Sequence, residues 1–372
     1  MENINVWRVH TNTDANTNTD KNIKESVADY CIRNNCICLG WSLKDEHLRK
    51  DNISEIPYNE RKLISIWSEN ESFEKYEKFI KDHKIYGGKV SSNIVTLKNE
   101  MKANDLVWMR KEGIYFLGIV GENSKYYYNS DDKLLDMDAS NQRTDITWIK
   151  AGDESEVPGV VTTAFIMGRT LQRINQEGVL EFSQYLVNEE CLKNGEKLKY
   201  DIKSVEETPA KFFNLISPND CEDLVCMWLY KKYGYIPVPS TSKISTQLYE
   251  CVLLNTNKEN NREVYIQVKK AEDNLYISNY THLRGEVFLF TTMGTIKYKE
   301  HEPDKYDCNF REIEKNYNEG VLNKKIFKGK TNNVIYSINK ITIYNFVMDG
   351  ENDKYLPKKI IKWRELLRSY NK

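Results

Sequence analysis

Two short runs, Gln247–Leu254 and Val264–Lys269, constrain this chain more than any other feature. In the first, one face carries Leu248, Val252 and Leu254 and the other carries Tyr249, Cys251 and Leu253. A strand that is apolar on both sides is expected to be central in its sheet and covered on both faces. Glu250 is its one acid. In the second run Val264, Ile266 and Val268 share one face, while Gln267 and Lys269 share the other. The link between them, Asn255–Arg262, is polar and asparagine-rich, as a hairpin loop requires. Closed symmetrically, the hairpin sets Glu250 opposite Gln267, with Lys269 two residues along the same face. A slip of one residue would send these side chains to opposite faces.

A helix is expected just upstream. Asp220 reads as its N-cap, and Glu222 and Asp223 suit the positive helix start. Glu222, Val225, Cys226 and Leu229 fall at i, i+3, i+4 and i+7, so Glu222 lies on the stripe that the helix buries. A carboxylate there is costly unless a partner or a cation meets it. Together Glu222, Glu250, Gln267 and Lys269 suit phosphodiester hydrolysis. A hard cation, Mg²⁺ with Mn²⁺ as a substitute, takes oxygen ligands. Glu250, the Gln267 side-chain oxygen and a strand carbonyl are the expected set. Glu222 would hold the ion or one of its waters. Lys269 would orient the attacking water and stabilise the transition state. The bland counterpart is a core strand pair with a Glu250–Lys269 salt bridge, an arrangement that seldom gains stability.

The runs Ser217-Pro-Asn-Asp-Cys-Glu222-Asp-Leu-Val, Tyr233-Gly-Tyr235, Pro239-Ser-Thr-Ser, Tyr249-Glu250 and Tyr265-Ile-Gln-Val-Lys269 resemble, in order and spacing, the PD-(D/E)xK nuclease superfamily. The resemblance lies toward its Mrr-like restriction endonuclease branch and spans residues 218–290. It implies that Glu222 is the helical acid, Glu250 the strand acid, and Gln267 with Lys269 the final motif. It also implies a restriction-endonuclease-like α/β/α core. Two features depart from the family pattern. The strand acid is Glu where the family usually has Asp, and Tyr249-Glu250 replaces the family's GxD approach.

Residues 1–170 read as a mostly β region with inserted helices. Strands are expected at Ile4–Val9, Cys36–Trp41, Tyr126–Tyr128 and Thr147–Ile149, and helices at Asn59–His83 and Ser91–Met101. A hairpin is expected from Asp105–Met109 to Ile114–Val120 around Lys-Glu-Gly. Val6-Trp7-Arg8, Leu39-Gly-Trp41, Asn104-Asp-Leu-Val-Trp108 and Val157-Pro-Gly-Val-Val161 look like a PUA-like β-barrel of the EVE kind. That resemblance implies a reader of modified bases, with Trp41 and Trp108 lining a pocket for a flipped base. The expected fold is thus a mixture of α/β and mostly-β. An N-terminal PUA-like β-barrel (1–170) is followed by a helical connector (171–210) and the nuclease domain (211–372). The last segment, Pro357–Tyr370, is a basic helix. Lys358, Lys359, Lys362, Arg364 and Arg368 could track a DNA backbone there. Arg169 and Arg173 read as solvated surface groups.

The 372 residues carry 54 basic and 55 acidic side chains, so any nucleic-acid surface must be local. Eight scattered cysteines in a chain this long form no disulfide framework. Cys36 and Cys38 read as core thiols, and the spacing argues against zinc. The start, Met1–Trp7, has no basic or apolar signal character, and no run reaches the length of a spanning helix. A cytoplasmic protein without membrane contact is expected. The leading reading is a Mg²⁺-dependent endodeoxyribonuclease acting on modified or foreign duplex DNA, with a homodimer as the natural form for two-strand cleavage. A non-catalytic nucleic-acid binder on a degenerate nuclease fold and an RNase acting on structured RNA are the alternatives.

Overall fold

The computed structural model describes residues 4–11, 26–43, 69–154, 156–165, 169–176, 178–202, 208–239, 241, 249–256, 263–270, 274–283, 285–297, 309–313, 322–323 and 334–369. It is mixed α/β with several sheets and divides into two compact units. One comprises Met1–Val157 and Val161–Ile202, the other Pro158–Val160 and Lys203–Lys372. Leu63, Ile64 and Trp67 of the expected Asn59–His83 helix lie outside the described residues, as do Leu248 and most of the 255–262 link.

In chain order the first half gives β1 (Val6–Val9), α1 (Val27–Arg33), β2 (Ile37–Leu39), α2 (Glu69–Asp82), α3 (Ser92–Asn99), β3 (Leu106–Lys111) and β4 (Ile114–Val120). There follow β5 (Tyr126–Tyr128), α4 (Asp132–Asp136), β6 (Asn141–Arg143), β7 (Ile146–Asp153), α5 (Gly159–Ala164), β8 (Leu171–Arg173) and α6 (Val179–Lys193). A five-stranded sheet runs β7-β4-β3-β1-β8, and a three-stranded sheet runs β2-β6-β5. Among the described residues neither sheet closes into a barrel.

The expected hairpin forms, with Leu106 opposite Ile119 and Lys111 opposite Ile114. Its two-residue turn has Glu112 at φ 47 and Gly113 at φ 81, the positive-φ pair that matches the strands' twist. The expected connector over 171–210 is corrected in its first part. β8 pairs antiparallel with β1, Trp7 opposite Arg173, so residues 171–202 complete the first unit. Leu171 is buried at that edge, and an apolar strand end gains more from pairing than a linker does.

The second half gives α7 (Pro209–Leu215), α8 (Pro218–Tyr233), β9 (Ile236–Pro237), β10 (Cys251–Leu254), β11 (Glu263–Lys269), β12 (Leu275–Tyr276), β13 (Glu286–Thr291) and β14 (Ile296–Lys297). It ends with β15 (Asn309–Ile313), β16 (Leu322–Asn323), β17 (Val334–Ile338), α9 (Lys340–Met348) and α10 (Lys358–Ser369). Its main sheet has the order β16-β15-β17-β13-β11-β10-β9. β11, β13, β17 and β15 are mutually parallel, and β10 is antiparallel to β11. All six residues of β13 are buried, as a parallel strand covered on both faces should be. α8 lies against β11, and α9 contacts α7, α8 and α10.

Two expectations change. β10 is second from the sheet edge rather than central, with the two-residue β9 outside it. Its Cys251, Val252 and Leu253 are buried, but Leu254 is exposed opposite Ile236 of β9. The N-cap of α8 is Ser217, not Asp220. The Ser217 hydroxyl accepts from the Asp220 N–H while the Asp220 carboxylate accepts from the Ser217 N–H. Pro218 occupies the first helical position, where its missing N–H costs nothing. Among the described residues no helix is long and apolar enough to cross a membrane.

Candidate active site

The hairpin register brings the site together. Cys251 pairs with Ile266 and Leu254 with Glu263, which sets Glu250 opposite Gln267 as expected. The Glu250 N–H, just before β10, donates to the Ile266 carbonyl at 2.8 Å. The Gln267 side-chain Nε2 donates to Glu250 Oε1 at 2.8 Å. Lys269 Nζ lies 3.3 Å from the same oxygen. Gln267 is fully buried, and its Oε1 has no hydrogen-bond partner. A buried amide oxygen left without a partner costs on the order of 1–3 kcal/mol.

Glu222, on α8, supplies the second acid. It is half-buried on the stripe with buried Val225 and Leu229. Burial, then the charges of Glu250 and Asp223, push its carboxyl up to about 7, with Lys269 opposing. Hydrogen bonds join Glu250, Gln267 and Lys269, and Glu222 on α8 feels the charges of Glu250 and Lys269. The set offers two carboxylates and an amide oxygen, the hard donors that Mg²⁺ or Mn²⁺ takes. A cation there would relieve the repulsion between Glu222 and Glu250. By donor chemistry the residues fit such an ion. The amide presents nitrogen, not oxygen, to Glu250, so ligation by Gln267 requires a half-turn of that amide.

Two further groups border the site. Tyr280, buried in the turn after β12, has its phenol pushed up to about 12 by burial and by the Glu250 charge. No sequence signal marks it, because it lies outside every motif. The Cys226 and Cys251 sulfurs stand 3.6 Å apart and tie α8 to β10. Their signal was present: Cys226 sits one turn after Glu222, and Cys251 follows Glu250.

The remaining expected residues scatter. Trp108 is fully buried; its indole N–H donates to the Ser183 hydroxyl at 3.0 Å, and its ring stacks on Phe182. It fills the core of the first unit and offers no face to a base, which corrects the expectation. Trp41 is half-buried with φ 58, and its carbonyl accepts from Tyr76. On α10, Arg364 is 2% exposed, donates to the Val347 carbonyl and pairs with Asp353 and Glu365. It therefore anchors α10 instead of facing a phosphate. Arg368 pairs with Glu365 and donates to the Met348 carbonyl, and Lys359 pairs with Asp220. Lys358 and Lys362 are exposed. Arg173 pairs with Glu100 and lies over the Trp7 ring. Comparisons with protein-family models, curated proteins and solved structures find no match to this chain.

Proposed function

We propose that this chain is a divalent-cation-dependent endonuclease of the PD-(D/E)xK type, acting on modified or foreign DNA. The observation that carries the reading is Glu250 with Gln267 and Lys269 both on its Oε1, and with Glu222 on the neighbouring helix feeling its charge. Glu222, Glu250 and Gln267 would hold Mg²⁺ or Mn²⁺. When bound, the ion neutralises charge on the scissile phosphate and lowers the pKa of water. The chain's own groups do the rest. Lys269 orients the attacking water and offers a cation to the charge that develops on the phosphate oxygens. Tyr280 and the apolar strand faces limit bulk water, which strengthens each of these interactions.

On this reading residues 203–372 form the nuclease core, and the first unit is a PUA-like reader in which Trp41 is the remaining candidate for base stacking. The protein works in the cytoplasm, as a homodimer when both strands are cut. The test is cleavage of modified and plain duplex DNA with Mg²⁺ by wild type and Lys269→Ala. The variant should lose at least about 100-fold in kcat. Equal rates would remove the catalytic assignment. A second reading, a non-catalytic scaffold, draws on the same contacts, because Lys269 already balances Glu250 without an ion. Calorimetric titration with Mg²⁺ separates the two, since the scaffold takes up none at this site.

A further inference from the structure

A second constellation lies in the first unit, remote in sequence from the candidate active site. Cys31 belongs to α1, Cys36 follows it, and Cys38 belongs to β2. α1 ends at Asn34, and Asn35 takes the left-handed conformation at φ 50, which asparagine tolerates better than most residues. The turn folds the chain back so that the Cys36 N–H donates to the Cys31 carbonyl at 3.0 Å. The Trp148 indole N–H then reaches the carbonyls of both Cys31 and Cys36, at 3.1 and 3.3 Å. One indole thus fixes the backbone of two cysteines. The three sulfurs lie within 4.8 Å of one another, with Cys36 and Cys38 at 3.6 Å. The spacing alone pairs Cys36 with Cys38 and leaves Cys31 out; the turn supplies the third member.

We propose that Cys31, Cys36 and Cys38 form a trigonal all-sulfur site for one soft monovalent d10 ion of the Cu(I) class. Donor number and donor type select the ion. A trigonal centre with metal–sulfur bonds of about 2.3 Å needs its sulfurs about 4 Å apart, within the spread seen here. Structural zinc requires four ligands, and among the described residues no histidine, carboxylate or fourth cysteine joins the three. Water cannot complete a tetrahedron, because the cysteines are 0%, 2% and 0% exposed inside the apolar core. Hard cations are refused by sulfur, whereas Cu(I) prefers it.

The test is anaerobic titration of the reduced full-length protein with Cu(I) against a chromophoric Cu(I) chelator. One equivalent should be drawn from the chelator, with thiolate-to-copper absorption in the near ultraviolet. Cys36→Ser and Cys38→Ser should each weaken uptake by on the order of 100-fold or more, beyond the cost of losing an outer-shell partner. Cys191→Ser and Cys226→Ser should leave it unchanged. Uptake that survives Cys38→Ser, or that is lost with Cys226→Ser, overturns the assignment. Because the serine variants sit in a core, X-ray absorption on the copper-loaded wild type gives an answer independent of their folding. Three sulfur neighbours support the site; two sulfurs or any nitrogen neighbour overturn it.

Discussion

Glu222 shows how a single carboxyl can report on the whole site. Its acidity in the fold is set by burial and by Glu250, which raise it from the ordinary 4.5 to about 7. Protonation therefore favours the folded state. The stability held by the neutral form is complete below about pH 4.5 and is lost as pH rises through about 7. Glu222→Gln removes that loss. In urea unfolding the variant should match wild type at pH 4. It should exceed it by roughly 1 kcal/mol at pH 8, after discounting for solvent screening at a half-buried group. Saturating Mg²⁺ should shrink the gap by stabilising the ionised wild type. A gap that is constant from pH 4 to 8 would show that the fold does not raise the Glu222 carboxyl. The residue was legible in the sequence because an acid on an apolar helical stripe is out of place. Tyr280 was not, because a tyrosine in a turn gives no periodic signal and its neighbour Glu250 is thirty residues back in the chain.

At the scale of elements, the hairpin was the most legible part and the helix start the least. The register of β10 against β11 follows from alternation, since only one pairing buries Val264 and Ile266 while joining Glu250 to Gln267. The edge position of β10 was not legible: an apolar run is equally consistent with any covered place in a sheet. The start of α8 was misplaced by three residues, since aspartate is both a good N-cap and a good partner at the third helical position. The capping box from Ser217 to Asp220 holds the first turn of the helix that presents Glu222. Ser217→Ala should cost about 1 kcal/mol in chemical unfolding. It should also weaken Mg²⁺ binding, because fraying of that turn moves Glu222. A loss of stability with Mg²⁺ affinity unchanged would separate the cap from the site.

For the whole molecule, near-zero net charge means that binding to a polyanion rests on few side chains. The basic run of α10 suggested five contacts, but the fold spends three of them internally. Lys359 answers Asp220, Arg364 answers Asp353 and Arg368 answers Glu365. Sequence could not foresee the first two, because Asp220 and Asp353 come from other segments of the chain, whereas Arg368 and Glu365 are three apart on one helix face. Lys358 and Lys362 remain exposed to solvent and available to phosphate. Each phosphate contact contributes roughly −0.9 to the slope of log K against log salt concentration on duplex DNA. Charge reversal at both, Lys358→Glu with Lys362→Glu, should therefore flatten the slope by about 2 and weaken binding to every duplex alike. The double variant should melt like wild type, because neither lysine takes part in an ion pair among the described residues. Arg364→Ala is the contrasting variant. It should destabilise the fold, by releasing α10 from the Val347 carbonyl and Asp353, and leave the salt slope of the folded fraction unchanged. Fluorescence anisotropy with a labelled duplex at several salt concentrations reads both. An unchanged slope in the lysine double variant would remove α10 from the DNA surface and shift the search to other basic side chains of the chain.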